Sequence, residues 1–219
     1  RRSFTDLTSS PTYRSYYDRV FQNTIVQNLS TNENIEYDTK ENFYFYDFTL
    51  QYHQKIGTKT EVILDVIGIN NSLTINQDHD FTSLKSKLEQ KNFGGSILFK
   101  TQWDEKTHTK INGYVSYYNL DSKNEAIENN QILFQRNTVF DNGWRIENQH
   151  FINQNLTFNN GYQYNEISVA DNELINYPQF EKKSKEVIRS HALILETEIK
   201  NNDGNMFLKA GLRNNYIED

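Results

Sequence analysis

The side chains that most often carry chemistry are few and scattered in this sequence. No His-x-x-x-His pair occurs among the five histidines to place two metal ligands on one face. Asp78-His79-Asp80 comes nearest to a metal cluster, but neighbouring residues of an extended loop point in different directions, so we expect it to be solvated. The chain has no Cys, which excludes thiolate chemistry, and no spacing typical of a catalytic triad. We therefore expect no enzyme, no metal and no cofactor.

Charge and hydropathy exclude two further classes. The formal net charge is −6, from 23 Lys and Arg against 29 Asp and Glu, so we expect no nucleic-acid partner. No run approaches 18 consecutive apolar residues, so a transmembrane helix is not expected. A β-barrel strand crosses a bilayer with about 9–11 residues, and a membrane location therefore stays open.

Apolar and polar residues alternate along much of the chain, as they do on a strand with two different faces. Tyr44, Phe48 and Leu50 fall on one side of an extended chain, and Asp47 and Gln51 fall on the other. The alternation recurs over 60–68, 93–103, 110–117, 156–165, 187–200 and 206–216, and a less regular extended stretch covers 132–152. These segments predict eight β-strands between about 43 and 219.

The links between these strands are alternately short and long. Short links are expected near 57–59, 104–107, 153–155 and 201–205, and longer ones near 71–91, 121–131 and 170–185. In an up-and-down antiparallel sheet this puts every short turn at one end and every long loop at the other, which is typical of outer-membrane barrels. The sequence predicts an all-β fold: an antiparallel transmembrane β-barrel segment of about eight up-and-down strands with alternating short turns and long loops.

The first 42 residues do not share this pattern. Ser10 and Pro11 suit the N-cap and first position of a short helix over 11–21, and the polar stretch 22–42 reads as loop. We therefore expect an extracellular loop region with a short helix (1–42) and a partial barrel (43–219). Both termini then fall on the long-loop side, whereas an exported barrel keeps its ends in the periplasm, so we expect a fragment.

The two faces of the strands predict two sets of functional residues. Candidates for contact with ligand or plug in the lumen are Asp47, Gln51, Lys100, Lys110, Tyr114, Glu196, Glu198 and Arg213. Candidates for contact with lipid, or for an aromatic girdle, are Tyr44, Phe48, Leu64, Trp103, Tyr162 and Leu195. The charged residues of the lumen set have two interpretations. The first is that opposite charges pair across strands, and the alternative is that they line a translocation path. A ligand-stacking platform is the alternative to the girdle.

Several stretches resemble the TonB-dependent receptors of the Gram-negative outer membrane. They are RRSFTD at 1–6, PTY at 11–13 with YY at 16–17 and VFQ at 20–22, FYDFTL at 45–50, NSL at 71–73, NGYQYNE at 160–166 and GLRNNY at 211–216. The resemblance implies a 22-stranded barrel plugged by an N-terminal domain, with a TonB-contacting segment ahead of the plug. Neither of these is visible in this sequence. It also implies uptake of a scarce ligand, of the iron–siderophore, haem, cobalamin or oligosaccharide class.

Three hypotheses follow. The first is a segment of a TonB-dependent receptor in the cell outer membrane, whose partners are outer-membrane lipid, its own plug domain and, through the plug, TonB. The second is a barrel that acts as a structural or interaction subunit, with a surface lipoprotein or a larger outer-membrane complex as partner. The third is a soluble β-sandwich or adhesin, which the mean hydropathy of −0.83 favours.

Overall fold

A computed structural model of the chain describes residues 2–5, 38–79, 82–127, 129–202 and 206–218. Of these, 2–5, 38, 39, 41, 77–79 and 82 are described by their backbone alone. The described residues form one antiparallel sheet in which each strand pairs with its neighbours along the chain. The strands are β1 (Arg2–Thr5), β2 (Asp38–Ile56), β3 (Thr60–His79), β4 (Thr82–Gln102), β5 (Thr107–Ala126), β6 (Gln131–Phe151), β7 (Leu156–Ile175), β8 (Phe180–Lys200) and β9 (Phe207–Glu218). The predicted all-β, up-and-down architecture is confirmed, and β2 to β9 are its eight strands.

The N-terminal part of the structure differs from the prediction in two strands. Arg2–Thr5 is a strand that pairs with β2, and β2 begins at Asp38 rather than near residue 43. The predicted helix over 11–21 lies outside the described residues. The division of the chain at residue 42 stays a prediction.

The long links predicted from the sequence are mostly strand. β3 and β4 pair through His79 and Thr82, and β7 and β8 pair through Ile175 and Phe180. Between the strands of the pairs β3–β4, β5–β6 and β7–β8, the residues outside the strand bounds are 80–81, 127–130 and 176–179. The segments predicted as long loops are therefore the upper ends of long strands, which we call the upper hairpins (69–92, 118–139 and 166–189); neighbouring hairpins also pair with each other across the sheet. Within the described residues no helix is long and apolar enough to cross a membrane.

The apolar side of the strands changes face on entering the upper hairpins. We call inner the face that lines a cavity of about 700 Å³ near the short turns, and outer the opposite face. Along β3, apolar side chains other than Ile63 occupy the outer face up to Val66 and the inner face from Ile67 onward. Along β7 the change falls between Tyr164 and Ile167. Because the period-2 pattern shifts phase here, the upper hairpins read as irregular sequence and were predicted as loops.

Side-chain oxygens stabilise the tight turns near the cavity. The Asp104 carboxylate accepts the backbone N–H groups of Lys106 and Thr107, both at 2.7 Å. The Asn153 amide oxygen accepts the backbone N–H groups of Asn155 at 2.8 Å and Leu156 at 2.9 Å. The two turns lie at the same edge of the sheet and are stabilised by the same kind of side-chain hydrogen bond. The backbone hydrogen bonds to Asp104 lower the pKa of its carboxyl.

Gly143 lets a tyrosine lie across the middle of the sheet. Tyr114 pairs with Gly143, and its hydroxyl donates to Asp141 at 2.9 Å and accepts from Asn165 at 2.9 Å, two strands away on β7. A Cβ at Gly143 would stand 2.8 Å from the Tyr114 ring and 2.8 Å from the carbonyl oxygen of Tyr164. An aromatic ring packed over a cross-strand glycine is a known way of stabilising a sheet at that position.

We expect Gly143→Ala to lower the free energy of unfolding by about 1–3 kcal/mol, because the backbone oxygen cannot move aside without breaking the ladder. Gly95→Ala is the matched control, since the nearest atoms to its added Cβ lie at an ordinary 3.7 Å. Denaturant midpoints of the two variants and the parent test this. Equal midpoints for both variants would contradict the packing role assigned to Tyr114.

Candidate functional site

The inner face near the short turns carries clusters of paired charges. Glu61 on β3 contacts Lys100 on β4 at 3.2 Å and His53 on β2 at 2.7 Å. Lys100 meets Glu61 because the two are paired directly between β4 and β3. On β2 the residue paired with Glu61 is Lys55, and His53 is the next residue on the same face, two positions farther from the turn. Three strands thus contribute one carboxylate and two basic side chains to a single contact group.

Two further groups continue this arrangement across the sheet. Glu147 on β6 contacts Arg145 at 2.5 Å and Lys110 of β5 at 3.7 Å. On β8 and β9, Lys209 lies 2.7 Å from Glu196 and 3.2 Å from Glu198. The amide of Asn159 on β7 donates to the same two carboxylates, at 3.0 and 3.5 Å. Because all of these side chains are partly exposed, each pair contributes little to stability.

The three groups line the cavity together. Its charged lining residues are Lys55, Lys59, Lys100, Lys110, Arg145 and Lys209 with Glu61, Glu147, Glu196 and Glu198. Cations exceed carboxylates by two in this lining, although the chain as a whole is acidic. The cavity is therefore a wet, mixed-charge surface that can hold polar or anionic groups by charge-assisted hydrogen bonds.

All eight residues predicted to face the lumen lie on the inner face. Lys100, Lys110, Glu196 and Glu198 come together at the cavity. Gln51 lies farther from the turns, where its amide donates to Asp65 at 2.7 Å, and Tyr114 lies at the same level on β5.

The other two predicted residues lie away from this group. Asp47 is nearer the upper hairpins on β2, and Arg213 is on the edge strand β9, where it donates to Asn215 at 2.8 Å and Gln163 at 3.4 Å. The inner face thus contains every predicted residue, but the cavity contains half of them. Their roles in ligand or plug contact stay predictions.

The eight residues predicted to face the lumen leave out five members of the charged groups: His53, Glu61, Lys209, Arg145 and Glu147. The signal for the last two was available in Arg145-Ile146-Glu147, a polar–apolar–polar triplet within β6. The triplet was not used in the prediction because β6 as a whole does not alternate regularly. Apolar residues occupy both of its faces at the start, where Ile132, Leu133 and Phe134 follow one another.

Five of the six residues predicted to face lipid lie on the outer face: Tyr44, Phe48, Leu64, Tyr162 and Leu195. Trp103 lies just beyond the end of β4, is 64% exposed, and donates through Nε1 to Thr109 at 2.8 Å. Because Thr109 is an outer-face residue, the indole lies beside the outer face at its short-turn border.

A line of polar side chains marks that border across five strands. Thr60 contacts Thr101 at 2.9 Å, Thr109 donates to Asn148 at 2.7 Å, and Asn148 donates to Asn160 at 3.1 Å. The line consists of two hydrogen-bonded groups, Thr60 with Thr101 and Thr109 with Asn148 and Asn160, so the outer face is polar but internally paired here. Beyond this line, the outer face of β3 to β6 is mostly apolar, and its side chains are half-buried or exposed.

Aromatic rings from β6 to β9 form a contiguous group on the outer face. Ring centroids lie 5.0 Å apart for Trp144 and Tyr162, 5.1 Å for Tyr164 and His191, and 6.0 Å for His191 and Tyr216. The Tyr162 hydroxyl lies 2.6 Å from Nδ1 of His191. The amphipathic rings suit a boundary between apolar and wet surroundings.

The apolar band on the outer face is tilted relative to the hydrogen-bonded pairing. The row of paired residues that begins at Phe48, the middle of the band in β2, reaches Val187 in β8. The middle of the band in β8 is near Leu195, about eight residues closer to the short turn. Spread over the six steps from β2 to β8, this shift is slightly above one residue per strand. With ~3.3 Å per residue along a strand and ~4.8 Å between strands, it corresponds to strands inclined by roughly 40° to the band.

The upper hairpins carry a well-formed ion pair on their outer face. Arg136 donates to both carboxylate oxygens of Asp121, at 2.7 and 3.1 Å. These hydrogen bonds from Arg136 are the main cause of the lowered pKa of Asp121, against some desolvation. The ion pair therefore favours the charged carboxylate in the folded protein.

No protein-family model matches the sequence, and no curated protein matches it. Among solved structures, the chain is similar to the ferric citrate transporter FecA in its unliganded form, with 12% identity and a TM-score of 0.43 over 81% of this chain and 35% of that one. It is also similar to the outer membrane transporter YddB from Escherichia coli, with 11% identity and a TM-score of 0.43 over 82% of this chain and 34% of that one. The chain spans about a third of the length of either transporter.

We expect Asp121→Asn to lower the free energy of unfolding by about 0.5–1 kcal/mol at neutral pH, given the exposure of the pair. The folded-state pKa of Asp121 is lowered, so its contribution is present above the ordinary carboxyl pKa and is lost as the pH falls through the folded value. The difference between parent and variant should therefore shrink below about pH 4.

Asp171→Asn is the control, because Asp171 is exposed and has no ion pair among the described side chains. Unfolding midpoints measured from pH 3 to pH 7 provide the test. A pH-independent difference for Asp121→Asn, or an equal effect of Asp171→Asn, would contradict this account of the ion pair.

Proposed function

We propose that this chain is part of the wall of an outer-membrane β-barrel, and that its parent protein is a TonB-dependent receptor that takes up a nutrient. The observation that supports this most strongly is the exposed apolar band of the outer face. It has a polar inner face behind it and runs obliquely across the strands. Strands of transmembrane barrels are tilted by about 35–45°, and the drift of the band corresponds to roughly 40°.

Lipid is the surrounding that suits the band. Phe48, Leu64 and Leu195 are 48%, 38% and 47% exposed, in a sheet that has no second layer among the described residues. Leaving such side chains in water costs about 25 cal/mol for every Å² of apolar surface. The polar line through Thr109, to which Trp103 donates, suits the interfacial border of the band on its short-turn side.

The inner face then lines the interior of the barrel. The short turns correspond to the periplasmic side, so the charged groups around Glu61, Glu147 and Lys209 would lie at that end. There they can bind the plug domain, through which TonB acts, or polar groups of a passing ligand. A surface that offers charges of both signs can exchange contacts with these ion pairs without leaving a charge unsatisfied.

A structural or interaction subunit is the second candidate, and one observation favours it. The inner face of the upper hairpins carries apolar side chains that stay exposed: Ile167 at 40%, Val169 at 39% and Ile188 at 48%. A partner at the barrel mouth, such as a surface lipoprotein, would cover this surface. A plug and TonB-contacting segment in the full-length protein would favour transport, and their absence would favour the assembly role.

We expect Leu64→Lys and Leu195→Lys each to lower the stability of the full-length protein in bilayers by about 2–4 kcal/mol, since a lysine near the midplane must leave water. The adjacent inner-face substitutions Ile63→Lys and Ile194→Lys are the matched controls, because their side chains face the wet interior. Folding yield in phosphatidylcholine vesicles, followed by protease protection, measures the effect.

Equal yields for the outer-face and inner-face lysines would contradict the assignment of the outer face to lipid. Recovery of the parent as a folded protein in buffer without detergent would overturn the barrel itself, in favour of a soluble β-sandwich.

A further inference from the structure

The inner face of the β7–β8 upper hairpin is apolar at its lower end and acidic farther up. Nearest the middle of the sheet, Ile167 pairs with Ile188, and Val169 is the next inner-face residue along β7. Asp171 and Glu173 follow on the same face of the same strand. From Ile167 to Glu173, this surface extends over about 20 Å of strand at ~3.3 Å per residue.

The apolar end of this surface is open to solvent. Ile167 is 40% exposed, Val169 is 39% exposed and Ile188 is 48% exposed. On the same face of the β3–β4 hairpin, by contrast, Leu73 and Ile75 are only 3% exposed. The apolar end of the β7–β8 hairpin is therefore a place where a further molecule can remove aliphatic side chains from water.

The carboxylates next to this apolar end have no cation to neutralise them. Asp171 and Glu186 are exposed, and neither has an ion pair among the described side chains. Lys182 is the single basic residue on the inner face of this hairpin, within 166–189. It is paired with Glu173 in the register and forms no ion pair with it in the described structure. The inner face of the hairpin thus has an excess of two negative charges.

Carboxylates on the outer face of the same hairpin are paired with cations. Glu166 contacts Arg189 at 2.6 Å, and Glu181 contacts Lys183. The two faces of one pair of strands therefore differ in whether their carboxylates are neutralised. A pair of strands with a purely structural role does not require this difference.

These features define the chemistry of an occupant. An aliphatic surface beside uncompensated carboxylates is complementary to a molecule that carries apolar groups at one end and positive charges at the other. A length of about 20 Å exceeds that of a small amine and corresponds to about six residues of extended peptide. A surface of roughly 20 by 10 Å is also far smaller than the ~800 Å² that each partner of a stable protein–protein interface buries. A short basic peptide fits both limits.

We propose that the inner face of the β7–β8 upper hairpin binds a free peptide with an apolar end and a basic end. The apolar end packs on Ile167, Val169 and Ile188, and the basic end faces Asp171 and Glu186. This inference deepens the proposed function by naming a class of ligand. It rests on that function for uptake of the peptide, whereas the contact itself does not require a bilayer.

The test uses the full-length protein in neutral detergent and three fluorescently labelled, capped peptides of equal length. They are LVLGKKK, its acidic counterpart LVLGEEE and its polar counterpart SNSGKKK. Fluorescence anisotropy gives the Kd of each peptide. We expect LVLGKKK to bind at least about tenfold more tightly than either counterpart, because each counterpart lacks one half of the complementarity. Added NaCl should weaken the binding of LVLGKKK, since salt screens exposed charges.

Variants of the hairpin identify the surface that binds. E186Q should weaken the binding of LVLGKKK about threefold, and D171N/E186Q about tenfold, as the loss of one and then two exposed ion pairs requires. I188S should weaken it about fivefold through lost apolar contact. The matched controls are E181Q and V187S on the outer face of the same strand, which should each change binding by less than about twofold.

Unchanged affinity in D171N/E186Q and I188S, or equal losses in the inner-face and outer-face variants, would overturn the proposal. Binding of LVLGEEE or SNSGKKK as tight as that of LVLGKKK would overturn the ligand chemistry. Dimers of the parent in sedimentation that I188S abolishes would assign the surface to a second copy of the protein instead. Selective binding of LVLGKKK by a protein that fails to enter phosphatidylcholine vesicles would support the contact and overturn the proposed function.

Discussion

The unbroken antiparallel ladder from β2 to β9 is the constraint on which the rest of this structure depends. The described residues form a single layer, and its only buried apolar side chains are Leu73, Ile75 and Ala192. No second layer packs against either face in the described part, so the strands are held by backbone hydrogen bonds and by cross-strand side-chain pairs. Such a sheet satisfies its own backbone and leaves both faces to be covered by something else. Lipid outside and a plug or ligand inside would meet that need.

Because pairing is continuous, the face of one residue determines the face of its partners on every other strand. Phe48 and Leu64 are outer-face residues on adjacent strands, and the same register carries that face to Leu195 on β8. A shift of one residue in the register between two strands would move the charged side chains of one strand to the outer face and its apolar side chains to the inner face. Tyr114, lying over Gly143 and bonded to Asn165, ties three strands together at mid-height and resists such a slip.

Much of this could be predicted from the sequence, for a physical reason. Where one face is apolar and the other polar, alternation identifies both strand and face, and the assignments of Lys100, Glu196 and Leu64 to their faces followed from it. The upper hairpins were missed because their apolar face is the inner one, so the pattern changes phase near Val66 and Tyr164 and loses its regularity in a short window. The contact of Glu147 with Lys110 could not be predicted, since it depends on the register between β5 and β6, which a single sequence does not contain. The short segment Arg2–Thr5 was missed because four residues are too few to show a period.

Accessibility along β8 tests the central claim most directly. These 219 residues have no cysteine, so a full-length protein freed of any cysteine elsewhere can take single cysteines from 190 to 199 that carry nitroxide labels in phosphatidylcholine vesicles. We expect maximal collision with lipid-soluble oxygen at Leu193, Leu195, Thr197 and Ile199, and maximal collision with an aqueous nickel chelate at the residues between them. Equal access of the chelate to both sets would show that the outer face meets water, and would contradict the account of this sheet as a barrel wall.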